Sequence, residues 1–308
     1  MSRTDGTLRI GFLGAGFMAQ FHLRALLGVR NVVAAGVVSA TAQRREAFAN
    51  QANRDGLGPC KAFPDLAAML ACDGIDAIWI ASPNHTRIAA MREIHAARAA
   101  GRTSVYAVAC EKPLARTLPE AREMLRLAED EGLLHGYLEN QLFSTAVQRG
   151  RDIIWRRAVP NSGRPYLARA TEEHSGPHEP WFWDAERQGG GVLSDMMCHS
   201  VEVARFLLTK PGESRGSMTL VSANATVSTL KWKRPIYAAQ LRDRTAGEID
   251  YANRPAEDFA RALLTLRDPD GNEAVIEATT SWAYVGPGLR ITLESQASTA
   301  TRWRTGIS

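Results

Sequence analysis

Short apolar runs alternate with amphipathic segments through the first half of the chain. Leu8–Leu13 reads as a strand, closes on Gly14-Ala15-Gly16, and passes into a helical pattern over Phe17–Leu27. Val32–Val38, Ile75–Ala81, Ser104–Cys110 and Leu133–Glu139 are further apolar runs of strand length. Helical spacing fills Ala42–Gln51, Asp65–Ala71, His85–Ala100 and Pro119–Glu131, the last two stopped by Gly101 and Gly132. Strands alternating with helices predict a mostly parallel sheet covered on both faces.

The pattern changes after residue 142. Thr145–Arg157 reads as one long helix, Tyr166–Glu172 as a strand, and His174–Gly191 as a turn-rich stretch. Val192–Leu208 is helical, and Thr219–Leu230, Ala262–Arg267, Ala274–Trp282 and Leu289–Glu294 are strand-like. Consecutive strands following a helix predict a mostly antiparallel open sheet with helices to one side. The expected architecture is α/β, with a dinucleotide-binding domain over 1–142 and an α+β domain over 143–308. Lys231–Asp258 is charged and weakly periodic, and reads as a surface excursion.

The glycines carry the first chemistry. Gly14-Ala15-Gly16-Phe17-Met18-Ala19 is a G-x-G-x-x-A fingerprint between a strand and a helix, where glycines allow the backbone to approach a pyrophosphate. A carboxylate that reads the ribose of NAD is expected at the end of the second strand. Ser39, Thr41 and Arg44 stand there instead, which leans the expectation within NAD(P) towards NADP. Ser82-Pro83-Asn84-His85 and Glu111-Lys112-Pro113 follow two strands at their carboxyl ends, where open sheets bind ligands. Lys112 is suited to holding a substrate oxygen. Gly189-Gly190-Gly191 lets a loop approach a ligand and opens a helix on which Asp195 and His199 share a face, one turn apart. A carboxylate orienting an imidazole suits general base catalysis.

In this order, these motifs resemble the glucose–fructose oxidoreductase, inositol dehydrogenase and rhizopine-catabolism family (Gfo/Idh/MocA). Met197 departs from the glycine often found between the family's aspartate and histidine. The resemblance implies a Rossmann domain and a C-terminal domain whose sheet forms a homo-oligomer. It implies NAD(P)-dependent oxidation of a ring hydroxyl in a sugar, polyol or cyclitol, with Lys112, Asp195 and His199 as catalytic residues. Cofactor contacts fall on Gly14, Ala15, Gly16, Phe17, Met18, Ser39, Thr41, Arg44, Ser82, Asn84, His85, Glu111 and Lys112. Substrate choice falls on Glu139-Asn140-Gln141 and on His174–Trp183, with Asn140, His178, Trp181 and Trp183 as contacts. Nicotinamide-assisted glycoside cleavage, and a non-catalytic sensor on the same fold, remain as alternatives.

Composition narrows the partners. Lys+Arg 37 against Asp+Glu 33 gives a net charge of +4 without basic runs interleaved with aromatics, so no nucleic acid is expected. The four cysteines lack metal-ligand spacing, no metal is expected, and free thiols suit a reducing compartment. Without an apolar leader or an uncharged run near the ~20 residues that span a bilayer, a cytoplasmic protein without membrane contact is expected. Ser295–Ser308 shows neither strand nor helical period, so the chain is expected to end early, leaving an open edge or bare apolar face around Val275 and Ile291.

Overall fold

A computed structural model describes residues 6–286, 288–296 and 302–307. The chain divides into two compact units, Met1–Leu138 and Glu139–Ser308, where the sequence pattern placed the boundary at 142/143.

The first unit runs β1 (Leu8–Leu13), α1 (Phe17–Leu26), β2 (Val32–Val38), α2 (Ala42–Arg54), β3 (Lys61–Phe63), α3 (Leu66–Leu70), β4 (Ala77–Ile80), α4 (Asn84–Ala99), β5 (Ala107–Glu111), α5 (Leu118–Asp130) and β6 (Leu134–Leu138). The strands form one parallel sheet in the order β3-β2-β1-β4-β5-β6. Alternate side chains serve opposite faces. Ile10 and Phe12 pack with Leu23 of α1 and Phe48 of α2, while Ile78 and Ile80 pack with Met69, Met91, Ile94 and Leu127 of α3, α4 and α5. Each large side chain so buried contributes on the order of 1.5–3 kcal/mol. Chain order reverses between β1 and β4, and such a switch point opens a crevice at the strands' carboxyl ends.

The second unit runs α6 (Thr145–Ile153), a π-helical turn (Ile154–Ala158), α7 (Val159–Ser162), β7 (Leu167–His174), α8 (Ala185–Gln188), α9 (Val192–Leu208), β8 (Thr219–Ser228), α10 (Pro235–Arg244), β9 (Phe259–Arg267), β10 (Glu273–Ser281), β11 (Leu289–Gln296) and β12 (Arg302–Ile307). Its sheet order is β12-β11-β7-β10-β9-β8, antiparallel except for the central β7–β10 pair. Ala168, Ala170 and Ala278 line its inner face. Their small side chains let α9 lie close over the central strands with Met196, Val203, Ala204 and Leu207 against them. The outer face carries Arg169 paired with Glu277 and Glu294 at 2.9 and 3.0 Å.

Three expectations are corrected. The helix expected over Thr145–Arg157 is broken by the π-helical turn, whose Ile154 and Trp155 join the core, with Trp155 Nε1 donating to the Leu207 carbonyl at 2.9 Å. Lys231–Asp258 is no surface excursion: it holds α10, and Trp232, Leu241 and Tyr251 are buried in the core. Buried Asp258 accepts the backbone N–H groups of Leu230, Lys231 and Trp232, which pins the segment's start. Strand structure also continues past Glu294. β11 reaches Gln296, and β12 pairs with it from Arg302 to Ile307, so the expected break at Ser295 is not there. The alternation Trp303, Thr305, Ile307 within this short strand is hidden by the Ser/Thr-rich residues before it. Residues 297–301 and 308 lie outside the described residues.

Candidate functional site

In the first unit, β1 turns into α1 through Gly14, Ala15 and Gly16. Gly14 has φ +112°, and a Cβ there would lie 2.7 Å from the Ala81 carbonyl oxygen, so only glycine fits. Gly16 has open space where its Cβ would point. It is the N-cap of α1 and offers no side chain to the helix's first N–H groups. A concave loop ending on uncapped N–H groups fits a pyrophosphate. Phe17 is 80% exposed beside it and Met18 is half-buried.

At the end of β2, Thr41 is the N-cap of α2, its Oγ1 accepting the Arg44 N–H at 3.3 Å. Arg45 Nη1 donates to the Ser39 carbonyl at 3.5 Å, while the Arg44 side chain is exposed. At the end of β4, Ser82 Oγ accepts from Thr86 Oγ1 at 2.8 Å. Asn84 is the first residue of α4 and is buried; the cap position belongs to Pro83, with half-buried His85 next in the helix.

Beyond β5, Glu111 is buried and its two oxygens are divided. Oε1 contacts His22 Nε2 at 2.6 Å, and Oε2 accepts the Lys112 backbone N–H at 3.1 Å. Lys112 is half-buried. The Cys110 thiol behind it is pushed up to about 11, chiefly by burial.

In the second unit, α9 presents Asp195 and His199, only 4% and 6% exposed, from a helix whose remaining buried face is mostly apolar. A carboxylate other than the expected Asp195 meets the imidazole. His199 Nδ1 lies 2.5 Å from Glu139 Oε1, while Asp195 Oδ2 accepts from the indole of Trp282 at 3.2 Å. Glu139 is buried where the chain enters this unit. Glu139 Oε1 also caps the 3-10 turn Asn140–Phe143 by accepting the Gln141 N–H at 3.1 Å. Sequence reading placed Glu139 in a substrate-selecting loop; its only local signal is a carboxylate closing a strand.

Within the triple glycine, Gly191 is required by the fold. A Cβ on Gly191 would lie 2.1 Å from the Glu257 carbonyl oxygen. Glu257 Oε1 accepts the N–H groups of Gly191 and Leu193 at 2.8 and 3.1 Å, capping α9 from a distant segment.

The expected substrate contacts separate. Asn140 is half-buried beside Glu139, and His178 is exposed. Trp181 is half-buried and stacks on Phe182 with ring centroids 3.8 Å apart. Trp183 is not available for stacking on a ligand. It is 1% exposed, its Nε1 donates to the Pro177 carbonyl at 3.1 Å, and Trp232, Tyr251 and Trp282 surround it. Beside His199, a cavity of about 10 Å³ is lined by Gln141, Glu172 and Ser200, room for about one water. Glu139, Cys198 and His199 place potential metal-ligand atoms within 4.8 Å of one another, but Glu139 and His199 already meet at hydrogen-bond distance.

Comparison with known proteins follows the same division. The model of an oxidoreductase family with an NAD-binding Rossmann fold, GFO_IDH_MocA, matches residues 8–137, and that of the GFO/IDH/MocA C-terminal domain matches 161–297. The 1,5-anhydro-D-fructose reductase of Ensifer adhaerens is 30% identical over 202 residues, 65% of this chain and 56% of that protein. The levoglucosan dehydrogenase of Pseudarthrobacter phenanthrenivorans is 29% identical, over 88% of this chain and 67% of that one. The chain thus spans little more than half the length of the first relative. The crystal structure of GenD2 from gentamicin A biosynthesis in complex with NAD shares the fold at 23% identity and a TM-score of 0.73, over 99% of this chain and 74% of that one.

Proposed function

This chain belongs to the Gfo/Idh/MocA oxidoreductase family, and from that premise we propose that it oxidises a ring hydroxyl of a sugar, polyol or cyclitol by hydride transfer to NAD(P). The observation that carries this reading is the buried Glu139–His199 pair, at 2.5 Å.

A carboxylate against Nδ1 keeps the proton on that nitrogen and leaves the lone pair on Nε2, the tautomer a general base needs. His199 Nε2 takes the hydroxyl proton, and Glu139 stabilises the imidazolium that forms. Asp195, one turn earlier on the same helix and held by Trp282, is assigned together with Glu139 to orienting the ring. Lys112 is assigned to the developing alkoxide, which its ammonium stabilises. Bound NAD(P) supplies the hydride acceptor, and Gly14, Ala15 and Gly16 with the first N–H groups of α1 would hold its pyrophosphate. Asn140, His178 and Trp181 are assigned to the substrate.

The lean towards NADP is supported by the lack of a carboxylate at Ser39, Thr41 and Arg44. All four cysteines are thiols, which supports a reducing, cytoplasmic setting. No helix among the described residues is long and apolar enough to cross a membrane. Exposed Leu220, Val221, Val227 and Leu263 on β8 and β9 support a homo-oligomer formed through this sheet.

The test is nicotinamide reduction over a panel of sugars, polyols and cyclitols, with NAD and NADP in parallel. Turnover with at least one cyclic polyol that is lost in His199→Ala is the expected result. Cofactor binding without turnover across the panel, or release of free sugar from glycosides without accumulation of reduced nicotinamide, overturns it. A strong preference for NAD overturns the reading of Ser39, Thr41 and Arg44.

A further inference from the structure

Arg87 sits in the first turn of α4 and is 4% exposed. A guanidinium is always charged, and burying it carries a large desolvation cost that must be offset by well-placed acceptors. Its acceptors here are three backbone carbonyls. Nε donates to Ser82 at 2.9 Å, Nη1 donates to Glu111 at 2.6 Å, and Nη1 also donates to Pro113.

Those three carbonyls belong to two loops. Ser82 follows β4; Glu111 and Pro113 flank Lys112 after β5. One planar side chain therefore ties together the two strand-end loops assigned above to cofactor and substrate. It grips the residue on either side of Lys112, while the Lys112 N–H is held by Glu111 Oε2 and the other oxygen of Glu111 by His22. This arrangement acts on the main chain around Lys112. It restricts the backbone from which the ammonium projects.

We infer that Arg87 is a positioning residue for Lys112, acting by clamping the carbonyls of Glu111 and Pro113 to that of Ser82. The catalytic part of this inference rests on the dehydrogenase reading; the clamp itself does not. Arg87 reaches the two loops from separate nitrogens, Nε and Nη1, held in one rigid plane; a lysine ammonium offers three donors, but from a single atom on a flexible stem, so it does not reproduce this bridge.

The test uses the full-length chain with Arg87→Met, Arg87→Lys and Arg87→Ala, and reads two quantities. The first is the hydrogen-exchange rate of the Lys112 amide without substrate. The second is kcat on the best substrate of the panel, beside KM and the affinity for the nicotinamide cofactor. In Arg87→Met and Arg87→Lys the Lys112 amide is expected to exchange about tenfold faster or more, as for loss of one charge-assisted hydrogen bond. kcat is expected to fall roughly 100-fold, as for an ångström-scale misplacement of a reacting group, a larger change than in KM or cofactor affinity. Methylguanidinium is expected to restore part of kcat in Arg87→Ala. A merely structural arginine would lower stability without a selective loss of kcat and without rescue.

Unchanged Lys112 exchange in the folded variants overturns the clamp. Faster exchange with unchanged kcat overturns the catalytic consequence. If Arg87→Met does not fold, Arg87→Lys decides on the same readouts. If the wild-type chain reduces no nicotinamide with any polyol, the dehydrogenase reading fails, and with it the catalytic consequence, while the exchange measurement still decides the clamp.

Discussion

Glu139 Oε1 and His199 Nδ1 lie 2.5 Å apart although sixty positions separate them in the chain. Both side chains are almost wholly removed from solvent, at 1% and 7% exposure. A charge-assisted hydrogen bond in such surroundings is strong, and breaking it strands a buried polar group. The pair therefore fixes which ring nitrogen of His199 faces outward, and a proposed general base needs that fixed before substrate arrives.

Glu139→Gln is expected to keep the geometry but remove the charge that stabilises the imidazolium. kcat should fall by roughly 10²–10⁴, the range for general acid–base catalysis, with cofactor affinity unchanged. His199→Ala should cost at least as much. The double variant should cost little more than the worse single one, because the two act as a unit. Additive losses in steady-state kinetics would contradict the pairing.

Gly14→Ala and Gly16→Ala should separate strain from ligand contact. The first puts a methyl group 2.7 Å from the Ala81 carbonyl oxygen at φ +112°, so stability and dinucleotide binding should both fall. The second meets open space, so the melting temperature should hold while dinucleotide affinity drops. Thermal denaturation with and without NAD(H) and NADP(H) reads both; unchanged affinity in Gly16→Ala would remove the pyrophosphate from this loop.

Trp183→Ala is expected to cost about 3–5 kcal/mol, the range for deleting a fully buried aromatic side chain. Trp181→Ala should cost less, since Trp181 is only half-buried and stacks on the half-buried ring of Phe182. Urea titration gives both values. If Trp181 meets the substrate, its variant raises KM and leaves the urea midpoint nearly in place.

Glu213 adds a pH-dependent contribution to stability. Arg164 donates to both its oxygens, at 2.9 and 2.8 Å, and these hydrogen bonds hold its carboxyl below the ordinary carboxylate range. A folded pKa below the unfolded one gives stability that is full above the unfolded value and is lost as pH falls through the folded value. Glu213→Gln should cost about 1 kcal/mol or less at neutral pH, given the partial exposure. Wild type and variant should converge in urea titrations once the pH lies below the lowered folded value, and a gap that persists there would mean that the charge is not responsible.

Much of the first unit was legible because its signals are local. Alternating apolar runs and helices define the parallel sheet, and the strain at Gly14 belongs to a turn of adjacent residues. Lys112, Asp195 and His199 were legible as candidates because strand ends and one helical turn place them by short-range geometry. The errors share a cause. Trp183 reads as a loop aromatic in its own neighbourhood; that it is core is decided by Trp232, Tyr251 and Trp282, which come from far along the chain. Lys231–Asp258 looks solvated by composition, yet Asp258 collects three backbone N–H groups and draws the segment inward.

The sequence by itself determined the order of elements, the two-unit division near residue 140 and the residue types offered for chemistry. These depend on periodicity and on backbone preferences acting within a few residues. The tertiary structure alone decided the partners: Glu139 on His199, Trp282 on Asp195, Glu257 on the start of α9 and Arg87 around Lys112. A hydrogen bond between distant residues depends on where two surfaces meet after packing, to within a few tenths of an ångström. No local pattern encodes that distance.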